Sequence, residues 1–85
     1  MRIQATRRFE RDFRRLPRQA KRRIDEAIRL LAENPYLGKA LRGELAGYRS
    51  LRVGDYRVIY RINEAREVVL LLSVRHRRAA YRGCK

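Results

Sequence analysis

At 85 residues the chain is one small domain, of a size that buries only about 60 % of its unfolded surface and is marginal when alone. It carries 23 basic against 9 acidic side chains, net +14, and all but three of the basic residues (Lys21, Lys39 and Lys85) are arginine, so the expected partner is a polyanion, either nucleic acid or an acidic protein. The pattern argues against export, membrane insertion and a disulfide or metal framework: MRIQATRRFERDF has no apolar run of the ~7 to 15 residues a signal needs, no stretch approaches the roughly 18 of a span, and Cys84 is the single cysteine. A soluble cytoplasmic protein without metal, cofactor or membrane contact is the expectation.

Met1 to Ala5 alternates apolar and polar residues, with Ile3 and Ala5 one way and Arg2 and Gln4 the other, and reads as a first strand. Thr6 is placed to cap a helix whose Phe9, Phe13 and Leu16 recur at i, i+4 and i+7, one apolar stripe in a basic surround. Pro17 ends that helix and suits the first turn of another, which Ala20, Ile24, Ala27, Ile28 and Leu31 carry to about Glu33. Asn34 to Gly43, NPYLGKALRG, reads as a loop pinned by Tyr36, Leu37 and Leu41. The apolar period then changes from 3.6 to 2 over Glu44 to Val53, Tyr56 to Ile62 and Glu67 to Val74, three strands joined by short turns at VGDY and NEAR. The run EVVLLLSV is continuous rather than alternating, which suggests a central strand covered on both faces.

The order β-α-α-β-β-β predicts an α+β fold: a single domain with one four-stranded, mostly antiparallel sheet, the first strand free to pair with the last, and both helices on one face. Alternation sends Tyr56, Val58, Tyr60, Ile62, Leu51 and Val53 toward the helices. It sends Asp55, Arg57, Ile59, Arg61, Tyr48, Ser50 and Arg52 the other way. One sheet face is therefore expected to be bare and basic. The tail after the last strand returns Arg75, His76, Arg77, Arg78, Tyr81 and Arg82 to the same end of it, so two segments distant in sequence converge on one cationic pocket. Arg49 on the second of these strands joins Arg52, Arg61, Arg75, Arg78 and Arg82 as candidate RNA contacts.

LRVGDYRVIY, followed after a turn by an aliphatic strand and SVRHRRAAY, resembles the RelE/ParE superfamily of toxin–antitoxin toxins, which pair G-D-Y-R-V-I-Y with a C-terminal V-G-H-R-x-x-V-Y. The likeness extends through both helices and the NP…G…L.G loop over essentially the whole chain. On the RelE side it implies an endoribonuclease that works in the ribosomal A site, cuts messenger without metal or cofactor, and is held inactive by a cognate acidic antitoxin. The matched positions are Arg57, implied to brace the scissile phosphate, Arg77, implied to act near the leaving oxygen, and Tyr81, implied to stack on or orient the nucleotide. Two lysines of well-studied RelE toxins are replaced by Tyr48 and Ser50, and the glycine before the histidine by Arg75. The general base is left between His76, the single histidine, and Tyr81 among its guanidinium neighbours.

Two other readings stand beside this one. A ParE-like poison of DNA gyrase acts by binding protein and has no chemistry of its own, and the cleavage motif of Arg57, His76, Arg77 and Tyr81 argues against it. A plain basic RNA-binding module accounts for the charge and for the missing lysines.

Overall fold

In the computed structural model residues 1–77 are described, and two helices cover one face of a five-stranded mixed sheet. The elements are β1 (Arg2–Ala5), α1 (Arg7–Arg14), α2 (Arg18–Glu33), β2 (Lys39–Ala40), β3 (Arg49–Val53), β4 (Tyr56–Asn63) and β5 (Val68–His76). In space the strands run β1-β5-β4-β3-β2, with β1 parallel to β5 and the other pairs antiparallel. The first strand thus pairs with the last, as the element order leaves it free to do.

The sheet has five strands where the sequence suggests four, because Lys39 and Ala40, inside the expected loop, pair with Ser50 and Arg49. The strand expected from Glu44 starts only at Arg49. Gly43 and Gly47 take left-handed φ of 68° and 93°, which breaks extended chain, and Gly43–Leu45 forms a 3₁₀ turn instead. A second 3₁₀ turn, Pro35–Leu37, opens with the Asn34 side chain accepting the Tyr36 N–H at 3.2 Å.

The core joins Phe9 of α1 and Ile24 and Leu31 of α2 to Val58 and Tyr60 of β4 and Val69, Leu71 and Val74 of β5. Tyr60 is wholly buried, and its hydroxyl donates to the Pro35 carbonyl at 2.6 Å and accepts the Gly38 N–H at 2.9 Å. That pair of bonds fastens the 34–38 segment to the sheet and satisfies the one polar atom of a buried ring.

β5 changes phase part-way along. Ile59 lies opposite Ser73 but Tyr60 opposite Leu71, so Leu72 is an extra, unpaired residue, a β-bulge. Val69 and Leu71 face the helices before it and Val74 after it. Without the extra residue, strict alternation would turn Ser73 and Arg75 into the core. The aliphatic run that reads as two-sided burial is therefore largely a register change, and Leu70 and Leu72 on the other face are only partly covered.

α1 completes the edge of β5 beyond the point where β1 stops pairing. Thr6 N–H donates to Leu71 O at 3.0 Å, its hydroxyl donates to Leu72 O at 2.9 Å and accepts the Phe9 N–H at 3.1 Å, and Asp12 Oδ2 accepts the Val74 N–H at 3.1 Å. One hydroxyl caps the helix and pins the bulge.

Candidate functional site

Cross-strand register sets three arginines side by side on the sheet face away from the helices. Arg52 of β3 is opposite Arg57 of β4, and Arg57 is opposite Arg75 of β5. With neighbouring strands about 5 Å apart, the row extends across about 10 Å. The ion pairs formed among the described residues, Arg14–Glu10 and Arg29–Asp25, lie within exposed helix surfaces, so none of them engages the row. Nε of Arg75 is buried and has no hydrogen-bond partner among the described residues. Such a row is suited to an anion with several oxygens, since each planar fork presents two parallel donors.

The turn between β3 and β4 holds this end of the face. Gly54 takes φ 60° at the first loop position and Asp55 does not follow it into the left-handed region, the pattern of a type II′ hairpin. Arg77 N–H donates to Asp55 O at 2.6 Å, which extends the β4–β5 register and sets the backbone of Arg77 two residues along from Arg75, at the Arg57 end of the sheet.

Two expected members of the site lie elsewhere. Arg49 points to the helix side with Leu51 and Val53, where its guanidinium donates to Gly38 O at 2.6 Å and Tyr36 O at 3.2 Å and lies 5.3 Å from the centre of the Tyr36 ring. It clamps the 34–38 segment and stands apart from the arginines of the open face. His76 follows Arg75 across the pleat, and its ring meets the Tyr56 ring edge-on at 5.2 Å, again on the helix side. Arg78, Tyr81 and Arg82 lie outside the described residues, as does Cys84.

The face is not bare along its whole length. Ser50 and Ser73, both buried, flank the partly buried Ile59 in a transverse row, and Leu45 and Tyr48 from the 43–48 segment rise beside Ile59, Leu72 and Arg75 to form an apolar hollow. Arg8, at the start of α1, lines the same hollow. Its position there depends on α1 crossing the edge of β5, which helical periodicity does not register. Farther along, Arg61 lines a second hollow with Arg2 and Arg66.

The family model described as the ParE toxin of type II toxin–antitoxin systems matches residues 3–81. The chain belongs to this toxin family. Toxin RelE of Mycobacterium tuberculosis is 40 % identical over 74 residues, 85 % of this chain and 76 % of that protein. Toxin RelG of the same organism is 42 % identical over 74 residues, 85 % of each. Among solved structures, the toxin–antitoxin complex RelBE2 from M. tuberculosis aligns with a TM-score of 0.83 at 38 % identity, covering 89 % of this chain and 96 % of that one. The archaeal RelE–RelB complex from Pyrococcus horikoshii aligns at 0.74 and 26 % identity, covering 89 % and 93 %. The protein is thus a RelE-like member of the RelE/ParE superfamily, and the five-stranded mixed sheet under two helices is the fold of that group.

Proposed function

We propose that this toxin is a ribosome-dependent, metal-independent endoribonuclease that cuts messenger in the A site and so stops translation. The observation that carries the proposal is the in-register row Arg52–Arg57–Arg75, leading into Arg77, which forms no ion pair with a carboxylate of the described residues. In the proposed reaction the ribose 2′-OH attacks the adjacent phosphorus. The O2′–P bond forms, the P–O5′ bond breaks, and a proton passes from O2′ to the leaving O5′, giving a 2′,3′-cyclic phosphate and a free 5′-OH. Charge gathers on the non-bridging oxygens as phosphorus becomes five-coordinate, and guanidinium donors that reach them from the row lower the barrier. Arg57 takes the central place, with Arg52 and Arg75 on either side, and Arg77 serves the leaving oxygen. The ring contact between His76 and Tyr56 on the opposite side of the pleat favours Tyr81 over His76 as the group that handles the 2′ proton.

The proposed regulator is an acidic antitoxin, which would neutralise much of the +14 charge and add apolar burial to a small core. Support comes from the relatives solved as RelB–RelE complexes.

Primer extension on programmed ribosomes tests the reading. Wild-type protein is expected to produce cuts within A-site codons, and Arg57→Ala to slow them by about 10² to 10³, the usual cost of one donor to a developing oxyanion. Arg77→Ala is expected to fall in the same range. Messenger left whole by wild-type protein at every codon rejects the proposal. The match to a family model bearing the ParE name favours the gyrase reading as second. Trapping of cleaved DNA in a supercoiling assay, with translation untouched, would establish that alternative.

A further inference from the structure

On the same sheet face as the arginine row, four residues farther along β4, Arg61 lies with Arg2 and Arg66 around a hollow that also presents Gln4 and Asn63 above Leu70. The register builds it. Arg2 and Asn63 both stand opposite Val68, from β1 and β4 respectively, and Arg61 stands opposite Leu70, so the side chains of two strands flank β5 between them. The Asn63 side chain accepts the Arg66 N–H at 3.2 Å, which holds the 63–67 turn over the same hollow. None of the three guanidinium groups has a hydrogen-bond or ion-pair partner among the described residues.

Four residues of strand separate Arg61 from Arg57 by about 13 Å, farther than one phosphate can bridge. The surface between them is the apolar hollow, with Ile59 and Leu72 as floor and Tyr48 and half-exposed Leu45 as rim. Cations at both ends and an aromatic with aliphatic surface between them match a single strand, whose phosphates need charge and whose bases need a flat apolar surface.

We propose that the Arg2–Arg61–Arg66 hollow is a second phosphate subsite for single-stranded RNA, reached across a base-stacking ledge at Tyr48 and Leu45; the inference rests on the nuclease reading of the arginine row. It converts a one-phosphate grip into a two-point hold that sets the direction of the strand over the site.

The test is fluorescence anisotropy of the full-length toxin with 2′-O-methyl oligoribonucleotides, which lack the attacking hydroxyl, measured across a salt series. A dinucleotide, with one phosphodiester, cannot hold both ends at once and is expected to take the in-register arginine row, whereas a hexanucleotide reaches both ends. The Arg61→Gln/Arg66→Gln double variant is expected to weaken hexanucleotide binding and to flatten its log–log salt dependence by about 0.7, the value for one phosphate of a single strand that is no longer neutralised. Dinucleotide binding should be unchanged in that variant and weakened by Arg57→Gln. Hexanucleotide binding that is indifferent to the double variant but weakened by Arg57→Gln would overturn the second subsite and leave the nuclease reading standing. Indifference to all three substitutions would overturn both. An equal drop in affinity for dinucleotide and hexanucleotide would indicate a diffuse field rather than a seat, and would overturn the subsite too. If the double variant bound only an acidic peptide less tightly, the hollow would be a protein-docking surface, and the inference would fall.

Discussion

Arg57 and Arg75 stand directly opposite one another on adjacent antiparallel strands, two like charges on one sheet face. Opposed like charges in such pairs cost about 0.2–1 kcal/mol before solvent screening reduces the figure. The face therefore gives up a little stability when empty and recovers it when an anion lies between the guanidinium groups. Arg75→Thr is expected to raise the unfolding free energy at low salt by at most about 1 kcal/mol, seen as a higher urea midpoint, with the gain shrinking as sodium chloride is added. Sulfate should stabilise the wild type more than the variant. A variant that is less stable at low salt would show that Arg75 contributes by packing, not repulsion.

Thr6 carries two bonds through one hydroxyl, to the Phe9 N–H and to the carbonyl of the bulge residue Leu72. Thr6→Val keeps the shape and removes both, at an expected cost of about 1–2 kcal/mol in unfolding free energy. The more telling readout is amide exchange at Leu72 to Val74, which should quicken beyond the global loss if the hydroxyl holds the bulge. Thr6→Ser should restore both measurements.

At Gly38 the chain passes against Tyr60 so closely that a Cβ would lie 2.6 Å from the tyrosine oxygen and 2.9 Å from Ser50 O. Gly38→Ala is expected to destabilise by about 1–3 kcal/mol through overpacking. Tyr60→Phe should cost a similar amount, because it strips partners from the Gly38 N–H and the Pro35 carbonyl. In the double variant the combined cost should be less than the sum of the two, since the phenylalanine removes the nearest crowding atom, though the ring Cε1 at 2.8 Å and Ser50 O still press on the methyl. Strict additivity in denaturant unfolding would contradict the close approach.

The Tyr36 hydroxyl donates to Glu64 Oε1 at 2.5 Å, and that bond, then partial desolvation and the charge of Glu64, raise the Tyr36 pKa above its ordinary 10.0, with Arg49 pulling the other way. A value raised on folding gives a contribution that is complete below the unfolded pKa and is lost as pH climbs through the folded one, because the unfolded chain surrenders its proton first. Site-resolved tyrosine titration should place Tyr36 above its ordinary value, and Glu64→Ala should bring it down. An unmoved midpoint in the variant would remove Glu64 as the cause.

Both helices, the β3–β4 and β4–β5 hairpins and the freedom of β1 to pair with β5 are readable from residue order, because Phe9, Phe13 and Leu16 or Val58, Tyr60 and Ile62 declare their period locally and must bury one face; the short β2 is not. The same local logic sends Arg57 and Arg52 to the face away from the helices, and it does so correctly. It stops at β5. Valines and leucines run unbroken from Val68 to Leu72, so nothing local marks where the alternation slips by one, and the slip alone decides that Arg75 joins Arg57 while His76 turns toward Tyr56. The bulge exists because Tyr60 must meet Leu71 in the core while Thr6 holds the Leu72 carbonyl from a segment 66 residues away in sequence. Arg49 shows the same limit: its parity is legible, but its commitment to Gly38 and Tyr36 depends on where a distant loop comes to rest. Charge, period and turn chemistry are properties of neighbours along the chain, whereas which guanidinium groups share a phosphate-sized space is a property of neighbours across it.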